Sequence, residues 1–217
     1  MSNIYNQAYF DWQRTVGEFG GKANHFKFAT HVKPTDIVLD FGCGGGYLLK
    51  NLECAQRIGV EINPVAAQTA IENGVECHPS LDTVQDGLID IAISNHALEH
   101  VQRPFDTLRY LRKKLKPNGL LVIVVPCEAT TLSFDPKDTN QHIYTWNPQL
   151  MGNLAQQAGY IVESVSPIHH KWPTNFLQLQ KHFGWGIFHF IARLKGKSKK
   201  NDFQVKLVAR NGRNVPA

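Results

Sequence analysis

Residues 38–49 read Val38-Leu39-Asp40-Phe41-Gly42-Cys43-Gly44-Gly45-Gly46-Tyr47-Leu48-Leu49, and this stretch decides the fold of the chain. An apolar run ends at an acid, a turn rich in glycine follows, and a second apolar run can then begin a helix. Because glycine has no side chain, the backbone of such a strand–turn–helix junction can come very close to a ligand. The stretch therefore predicts a ligand-binding turn between a buried strand and a helix.

A second acid follows at an informative distance. Glu61 ends the apolar run over 58–60, twenty-one residues after Asp40. An acid about 20 residues beyond a glycine-rich turn can accept hydrogen bonds from the two hydroxyls of a ribose. A flexible loop would explain the glycines alone, but it would not explain a strand, two acids and a helix pattern together. The sequence thus predicts a site for an adenosine-containing cofactor.

The spacing of the glycines separates two classes of cofactor. The dinucleotide fingerprint G-x-G-x-x-G needs a small third residue, so that the helix can pack on the strand. Counted from Gly42, that third position is Tyr47, which is too large. A nicotinamide-dependent oxidoreductase is therefore the less favoured alternative. Glycines at alternate positions 42, 44 and 46, with Asp40 two residues earlier, resemble motif I of the class I S-adenosylmethionine-dependent methyltransferases.

The resemblance covers roughly residues 35–165, with the terminal strand added. Residues 59–62 resemble the second-strand motif of that family, and residues 90–101 resemble the fourth-strand motif of its branch that acts on small molecules. Residues 115–123 resemble the fifth-strand signature, and 142–160 resemble a segment that recurs in the branch. The resemblance implies an α/β fold with a doubly wound, mostly parallel, seven-stranded sheet and an antiparallel last strand. It also implies S-adenosylmethionine as the cofactor.

Each cofactor contact that the resemblance implies has a physical reason. Asp40 would receive the ammonium group, while the amides of the glycine turn approach the methionyl part. Glu61 would hold the ribose, and Ile62 would pack on the adenine face. Ser80 and the residue after it follow the third strand, where the family contacts the adenine edge. The predicted cofactor-binding residues are Asp40, Gly42, Cys43, Gly44, Glu61, Ile62, Ser80, Leu81, Asn95 and His96.

Methyl transfer from a sulfonium needs alignment of three atoms and exclusion of water more than it needs covalent help. A hydroxyl acceptor also benefits from a general base, for which histidine is the commonest choice. The predicted catalytic residues are His142, after the fifth strand, and His96, at the end of the fourth. A lone histidine is usually structural, so that interpretation stays open for both. No metal site is predicted.

The acceptor class follows partly from what the fourth-strand motif lacks. It reads Ser94-Asn95-His96-Ala97, without the Asp/Asn-Pro-Pro-aromatic motif of the enzymes that methylate nucleic-acid bases. It also lacks the acidic cluster of a magnesium-dependent catechol enzyme. We therefore expect a small molecule, a sugar or a lipid-linked intermediate as the acceptor, most simply methylated on oxygen, and no nucleic acid. A non-catalytic module that binds the cofactor or a partner is the alternative, because a fold does not guarantee chemistry.

The composition fits a single domain. The chain has 217 residues, a net charge of +5 and four cysteines, none of them in a C-x-x-C pair. Such cysteines indicate a cytoplasmic protein, and the start of the chain lacks the basic and apolar regions of a signal peptide. The expected parts of one methyltransferase domain over 1–217 are a helical cap over 1–34, a cofactor-binding core over 35–166, an insertion over 167–202, and a last strand and tail over 203–217.

Hydrophobic spacing gives the local structure of these parts. It predicts helices over 19–33 and 47–54 and a wholly apolar strand over 120–125. In the insertion, apolar residues recur at helical spacing over 176–194, and a basic run over 193–200 follows. This segment predicts either a lid over the acceptor pocket or an interfacial helix that touches anionic lipid, which would make the protein membrane-peripheral. The oligomeric state stays open.

Overall fold

The computed structural model describes residues 7–129, 131–199 and 201–212, with side chains from residue 16 onward. Lys200 of the predicted basic run and the tail over 213–217 lie outside the described residues. The helices are α1 (Gln7–Asn24), α2 (Tyr47–Lys50), α3 (Pro64–Glu72), α4 (Pro104–Lys114), α5 (Pro148–Gln157) and α6 (Phe176–Ser198). The strands are β1 (Ile37–Phe41), β2 (Gln56–Val60), β3 (Glu76–His78), β4 (Ile89–Asn95), β5 (Leu115–Cys127), β6 (Tyr160–Ile168) and β7 (Phe203–Asn211).

One seven-stranded sheet organises the described chain, in the order β3-β2-β1-β4-β5-β7-β6. The pairs from β3 to β5 are parallel, whereas β7 lies antiparallel between β5 and β6. Helices cover both faces: α4 and α5 pack on one hydrophobic cluster, and α2 and α3 on another. This confirms the predicted fold class, including the antiparallel last strand.

The order of the strands locates the place where ligands bind in such sheets. The chain moves outward from β1 to β2 and β3, then returns to β4 on the other side of β1. Ligands bind in open α/β sheets at this switch point, outside the carboxyl ends of the strands. Asp40 pairs with Ile93, so Asn95 lies two residues further along β4 at the same edge. The predicted site residues of β1 and β4 therefore meet.

The N-terminal region differs from the prediction. Helix α1 already runs over Gln7–Asn24, and two single 3-10 turns, His25–Lys27 and Ala29–His31, replace the rest of the helix predicted over 19–33. Glycine is a poor helix former, so the glycines in α1 concealed it in the sequence. They are needed because the helix lies against the cofactor loop: a Cβ on Gly21 would lie 2.4 Å from the carbonyl oxygen of Tyr47.

Two further boundaries differ from the sequence prediction. Helix α2 ends at Lys50 rather than at residue 54, because the amides of Asn51 and Leu52 already donate to carbonyls three residues back. Strand β5 is longer than 120–125, since its last residues also pair with β7. Both differences depend on contacts distant in the sequence.

Two glycines of α6 provide a matched test of this packing. A Cβ on Gly196 would lie 2.5 Å from the backbone of His169 and His170, whereas a Cβ on Gly186 would meet nothing within 4 Å. Overpacking costs about 1–3 kcal/mol, so we expect Gly196→Ala to lower the unfolding temperature by about 2–12 °C. Gly186→Ala should raise it slightly, because alanine favours a helix. Calorimetry showing Gly196→Ala at or above Gly186→Ala would contradict this packing.

Candidate cofactor and acceptor site

A cavity of about 510 Å³ opens at the switch point, between the end of α1, the glycine turn and the segment after β6. Six of the predicted cofactor-binding residues line it, namely Asp40, Gly42, Cys43, Gly44, Asn95 and His96. The other four, Glu61, Ile62, Ser80 and Leu81, are not among its lining residues. The cavity thus brings the β1 and β4 groups together, and the groups predicted for the adenosine part lie outside it.

Left-handed backbone conformations shape the glycine turn. Gly42, Gly44 and Gly46 have φ values of 77°, 54° and 72°, which glycine adopts without steric cost. The amides of the turn were expected to face the methionyl group, but all three already donate hydrogen bonds within the protein. Those of Gly42 and Cys43 donate to the Val60 carbonyl at 2.9 and 3.2 Å, and that of Gly44 donates to Glu61 Oε2 at 2.8 Å. They hold the turn in place.

Asp40 is the clearest sign of a missing ligand group. Its side chain is 3% exposed, and its Oδ1 has no hydrogen-bond partner among the described residues. Burial, with the nearby charge of Glu61, raises the pKa of the Asp40 carboxyl to about 8. A buried acceptor without a partner is costly, and an ammonium group in the cavity would relieve that cost. Asp40 therefore fits the amino group of a methionyl moiety.

The adenosine side of the site is an open surface. Glu61 accepts hydrogen bonds from the amides of Asn63 and Gly44, both at 2.8 Å. Burial raises the pKa of this carboxyl, and these hydrogen bonds oppose the shift. Each carboxylate oxygen has a second lone pair, so ribose hydroxyls can still bind. Ile62, next to it, is 71% exposed and offers an apolar face for a ring, while Leu81 is buried.

The two histidines predicted as bases meet at a residue that was not predicted to be functional. Glu99 is fully buried, and its Oε1 lies 3.1 Å from His96 Nδ1 and 3.9 Å from His142 Nε2. Burial raises the pKa of Glu99, but the hydrogen bond and charge of His96 outweigh it, so that the pKa is lowered. A His-x-x-Glu spacing was the available signal, because positions three apart face each other in a helical turn.

His142 borders a different space from His96. It lines a second cavity of about 960 Å³, formed largely by the connection after β5, and its Nδ1 lies 2.9 Å from Glu128 Oε1. Lys171 lines both cavities. His96, in contrast, lines the first cavity and has a left-handed backbone with a φ of 57°. Strain of this kind in a residue other than glycine is concentrated at functional sites.

One group of side chains has the geometry to hold a metal ion. Glu99, His100 and His142 offer ligand atoms that all lie within 4.8 Å of one another. Two of these residues have unpartnered buried atoms among the described residues, Glu99 Oε2 and His100 Nδ1. Imidazole and carboxylate ligands suit several divalent ions. The absence of a metal site stays a prediction of the sequence.

Two further lining residues come from distant parts of the chain. Lys27 is 2% exposed, and its Nζ donates to Asn95 Oδ1 at 3.1 Å and to Gln204 Oε1 at 2.5 Å. Gln204 in turn donates to the carbonyl of His170 at 3.0 Å. No local motif marks Lys27 or Gln204, which are 177 positions apart. Sequence reasoning missed both because only the fold brings them together.

Comparison with known proteins agrees with this geometry. Residues 12–165 match the model of a family described as "Methyltransferase domain". The Ubiquinone biosynthesis O-methyltransferase of Chromobacterium violaceum is 28% identical over 217 aligned residues, covering 82% of this chain and 93% of that protein. The mitochondrial Ubiquinone biosynthesis O-methyltransferase of Schizosaccharomyces pombe is 33% identical over 102 residues, but the match covers only 40% of this chain and 36% of that protein.

A solved structure supports the fold independently. The SAM dependent methyltransferase from Archaeoglobus fulgidus aligns with a TM-score of 0.65 at 20% sequence identity. The alignment covers 93% of this chain and 99% of that chain. At this identity the likeness concerns the fold alone.

The pKa of Asp40 gives a prediction for cofactor binding. A carboxyl with a pKa of about 8 is mostly protonated at pH 7, and an adjacent ammonium would lower that pKa. Binding of S-adenosylmethionine should therefore release up to about one proton at pH 7 and strengthen as the pH rises towards 8. Calorimetry in buffers of different ionisation enthalpy measures this release. Asp40→Asn should abolish it and weaken binding about tenfold or more; an undiminished release in that variant would contradict the assignment.

Proposed function

The chain belongs to the methyltransferase-domain family, and we propose that it transfers the methyl group of S-adenosylmethionine to a hydroxyl oxygen of a small molecule. The observation that carries the proposal is the buried, unpartnered oxygen of Asp40 beside the glycine turn, at the switch point of the sheet. The cofactor, when bound, supplies a methyl group already activated by a positive sulfur. The residues of the chain then have to bind, align and exclude water.

The acceptor is proposed from the chemistry of the relatives and of the cavity. The named relatives are O-methyltransferases of ubiquinone biosynthesis, so a hydroxyl on a small, lipid-soluble molecule is the first choice. The cavity lining includes apolar and aromatic side chains that can contact such a molecule, among them Val16, Leu48 and Trp172. A sugar or a lipid-linked intermediate is the wider class, and no nucleic acid is expected.

We assign the site residues on the same basis. Asp40 would bind the ammonium group and Glu61 the ribose hydroxyls, with Ile62, Ser80 and Leu81 around the adenine. Gly42, Cys43 and Gly44 would form the wall beside the methionyl part, next to Asn95. The catalytic roles of His96 and His142 stay predictions of the sequence. A non-catalytic module is not favoured, because Asp40 and the glycine turn are both intact.

Radiolabelled methyl transfer into a host extract tests this function. The extract is fractionated after reaction into protein, nucleic acid, lipid-plus-glycan and small-molecule pools. We expect label in the small-molecule or lipid pool as an alkali-stable ether, with Asp40→Asn at least tenfold slower at low cofactor concentration. Label confined to protein or nucleic acid would refute the acceptor class. Cofactor binding without label in any pool would favour the non-catalytic module.

Helix α6 gives a second part of the proposal, contact with a membrane surface. One face is buried against α1, where Phe19 lies 5.1 Å from Phe188 between ring centroids. The backbone of α6 is kinked at Gly184. After the kink, Ile187, Phe190 and Leu194 form an exposed stripe at helical spacing on the opposite face, and Phe183, just before the kink, is 64% exposed. The predicted lid and interfacial helix are thus compatible, since they use different faces. None of the described helices is long and apolar enough to span a membrane.

The charge around this stripe complements an anionic bilayer. Residues 176–199 contain Lys181, Arg193, Lys195, Lys197 and Lys199 and no acidic residue. Exposed aromatic and aliphatic side chains beside basic ones are typical of helices that lie in the headgroup region. We therefore propose that the protein is membrane-peripheral. Its four free thiols support a cytoplasmic location.

Sedimentation of the full chain with vesicles tests this contact. Binding should be stronger to phosphatidylcholine vesicles containing phosphatidylglycerol than to phosphatidylcholine alone, and weaker at high salt. The double change Phe183→Ser and Phe190→Ser should reduce binding about tenfold, because it removes exposed apolar area of α6. Phe134→Ser is the matched control, since Phe134 is 92% exposed outside α6. Equal binding by both variants would contradict the proposal.

A further inference from the structure

Lys27 occupies an unusual position for a lysine. The residue is 2% exposed, yet it lines the cofactor cavity over the carboxyl end of β4 and the start of β7. Its Nζ donates to two amide oxygens, Asn95 Oδ1 and Gln204 Oε1. Lysine is almost never fully buried unless it is paired with a charge. Both hydrogen-bond partners of Lys27 are neutral amides. A structural role does not explain this placement.

The hydrogen-bonding geometry leaves one position of the amine available. An ammonium group has three N–H donors, and two are used by Asn95 and Gln204. The neutral amine would keep both of these hydrogen bonds and carry a lone pair in the third position. A hydroxyl oxygen in the cavity can therefore donate its proton to Nζ without disturbing either amide.

Burial favours the neutral amine of Lys27 near pH 7. Burial lowers its pKa to about 7; Glu99 opposes this shift, and Lys206 on β7 adds to it. His170, after β6, lies close by, and burial together with the charge of Lys27 lowers its pKa to about 3. His170 is thus neutral and does not compete for the proton. The other ionisable residues that line this cavity are Asp40, Cys43, Tyr47, His96 and Lys171, and Lys171 pairs with Asp202.

The two histidines predicted as bases are less well placed. His96 has both ring nitrogens beside oxygen acceptors, with Nδ1 3.1 Å from Glu99 Oε1 and Nε2 3.3 Å from Gln204 Oε1. Neither nitrogen is left to accept a proton from a ligand. His142 lines the second cavity and not the first, and its Nδ1 is engaged by Glu128. Asp40 Oδ1 and His170 Nδ1 also line this cavity without a hydrogen-bond partner among the described residues. Asp40 is assigned to the ammonium group, and a pKa of about 3 makes His170 too weak a base, which leaves Lys27.

We propose that Lys27 is the general base of the transfer and binds the hydroxyl of the acceptor. The acceptor oxygen forms a bond to the methyl carbon as the carbon–sulfur bond breaks, and the electron pair of that bond remains on sulfur. The hydroxyl proton passes to Lys27 Nζ, which becomes an ammonium and later loses the proton to solvent. This inference rests on the proposed function and names the base and the acceptor-binding group of that site.

Substitution of Lys27 tests the step directly. Lys27→Arg keeps a buried cation with donors but cannot take up a proton, and Lys27→Met removes the amine at similar length. We expect both to lower kcat about a hundredfold or more, with S-adenosylmethionine affinity within about twofold. In the wild type, kcat at saturating cofactor should rise with pH through about 7 and then level, since the base must be neutral. Lys22→Met, an exposed change on α1, is the control.

The outcomes separate this inference from the function itself. If the wild type is active and Lys27→Arg keeps more than a third of its kcat, the role of Lys27 alone would be overturned. A pH profile that is unchanged in the variants would have the same meaning. Wild type that transfers label to no pool would overturn the function.

In that case binding of 4-nitrocatechol in the presence of S-adenosylhomocysteine still tests Lys27, because the phenolate form of this probe absorbs at longer wavelength than the phenol. The wild type should bind the probe as phenolate near pH 6 and Lys27→Met should not; no phenolate signal, or an equal one, would overturn the proposal.

Discussion

The turn after β1 can adopt its shape only with glycine, and the site depends on that constraint. A Cβ on Gly42, which has a positive φ, would lie 2.4 Å from the Cβ of Ala97. A Cβ on Gly46 would lie 2.9 Å from Val75 and 3.1 Å from the backbone of Ala70. The turn is therefore fixed on one side by the loop after β4 and on the other by α3. Its position brings Asp40 and Asn95 to one cavity.

The same edge of the sheet buries three ionisable side chains. Asp40, Lys27 and Glu99 are all between 0% and 3% exposed. Burial of charge is unfavourable unless it is compensated, and only Glu99 has an ion-pair partner within 4.0 Å among the described side chains. The two others line one shared cavity. Such a pair separates a place for a cation, near Asp40, from a place where a hydroxyl can lose a proton, near Lys27.

Sequence patterns could predict what is local and periodic. The buried strand predicted before the glycine turn is β1, because an apolar run in that position has few alternatives. The seven-stranded fold followed from several motifs in order. The part of helix α1 before residue 19 was missed, because the glycines of this helix serve a contact with Tyr47 and not helix stability. The hydrogen bond from Lys27 to Gln204 could not be predicted, since neither segment contains a sequence pattern that indicates contact with the other.

Helix α6 contributes both to the aromatic cluster beside the cavity and to the exposed surface. Its buried face packs on α1 through Phe188, and Trp172, which lines the cavity, lies 5.0 Å from Phe19 of α1 between ring centroids. The helix that carries the exposed stripe therefore also contributes to the aromatic cluster beside the cavity. If the stripe lies in a bilayer, α6 brings the protein to the phase that holds a lipid-soluble acceptor. The membrane contact and the acceptor class then support each other, because an apolar acceptor concentrates in the phase that α6 touches.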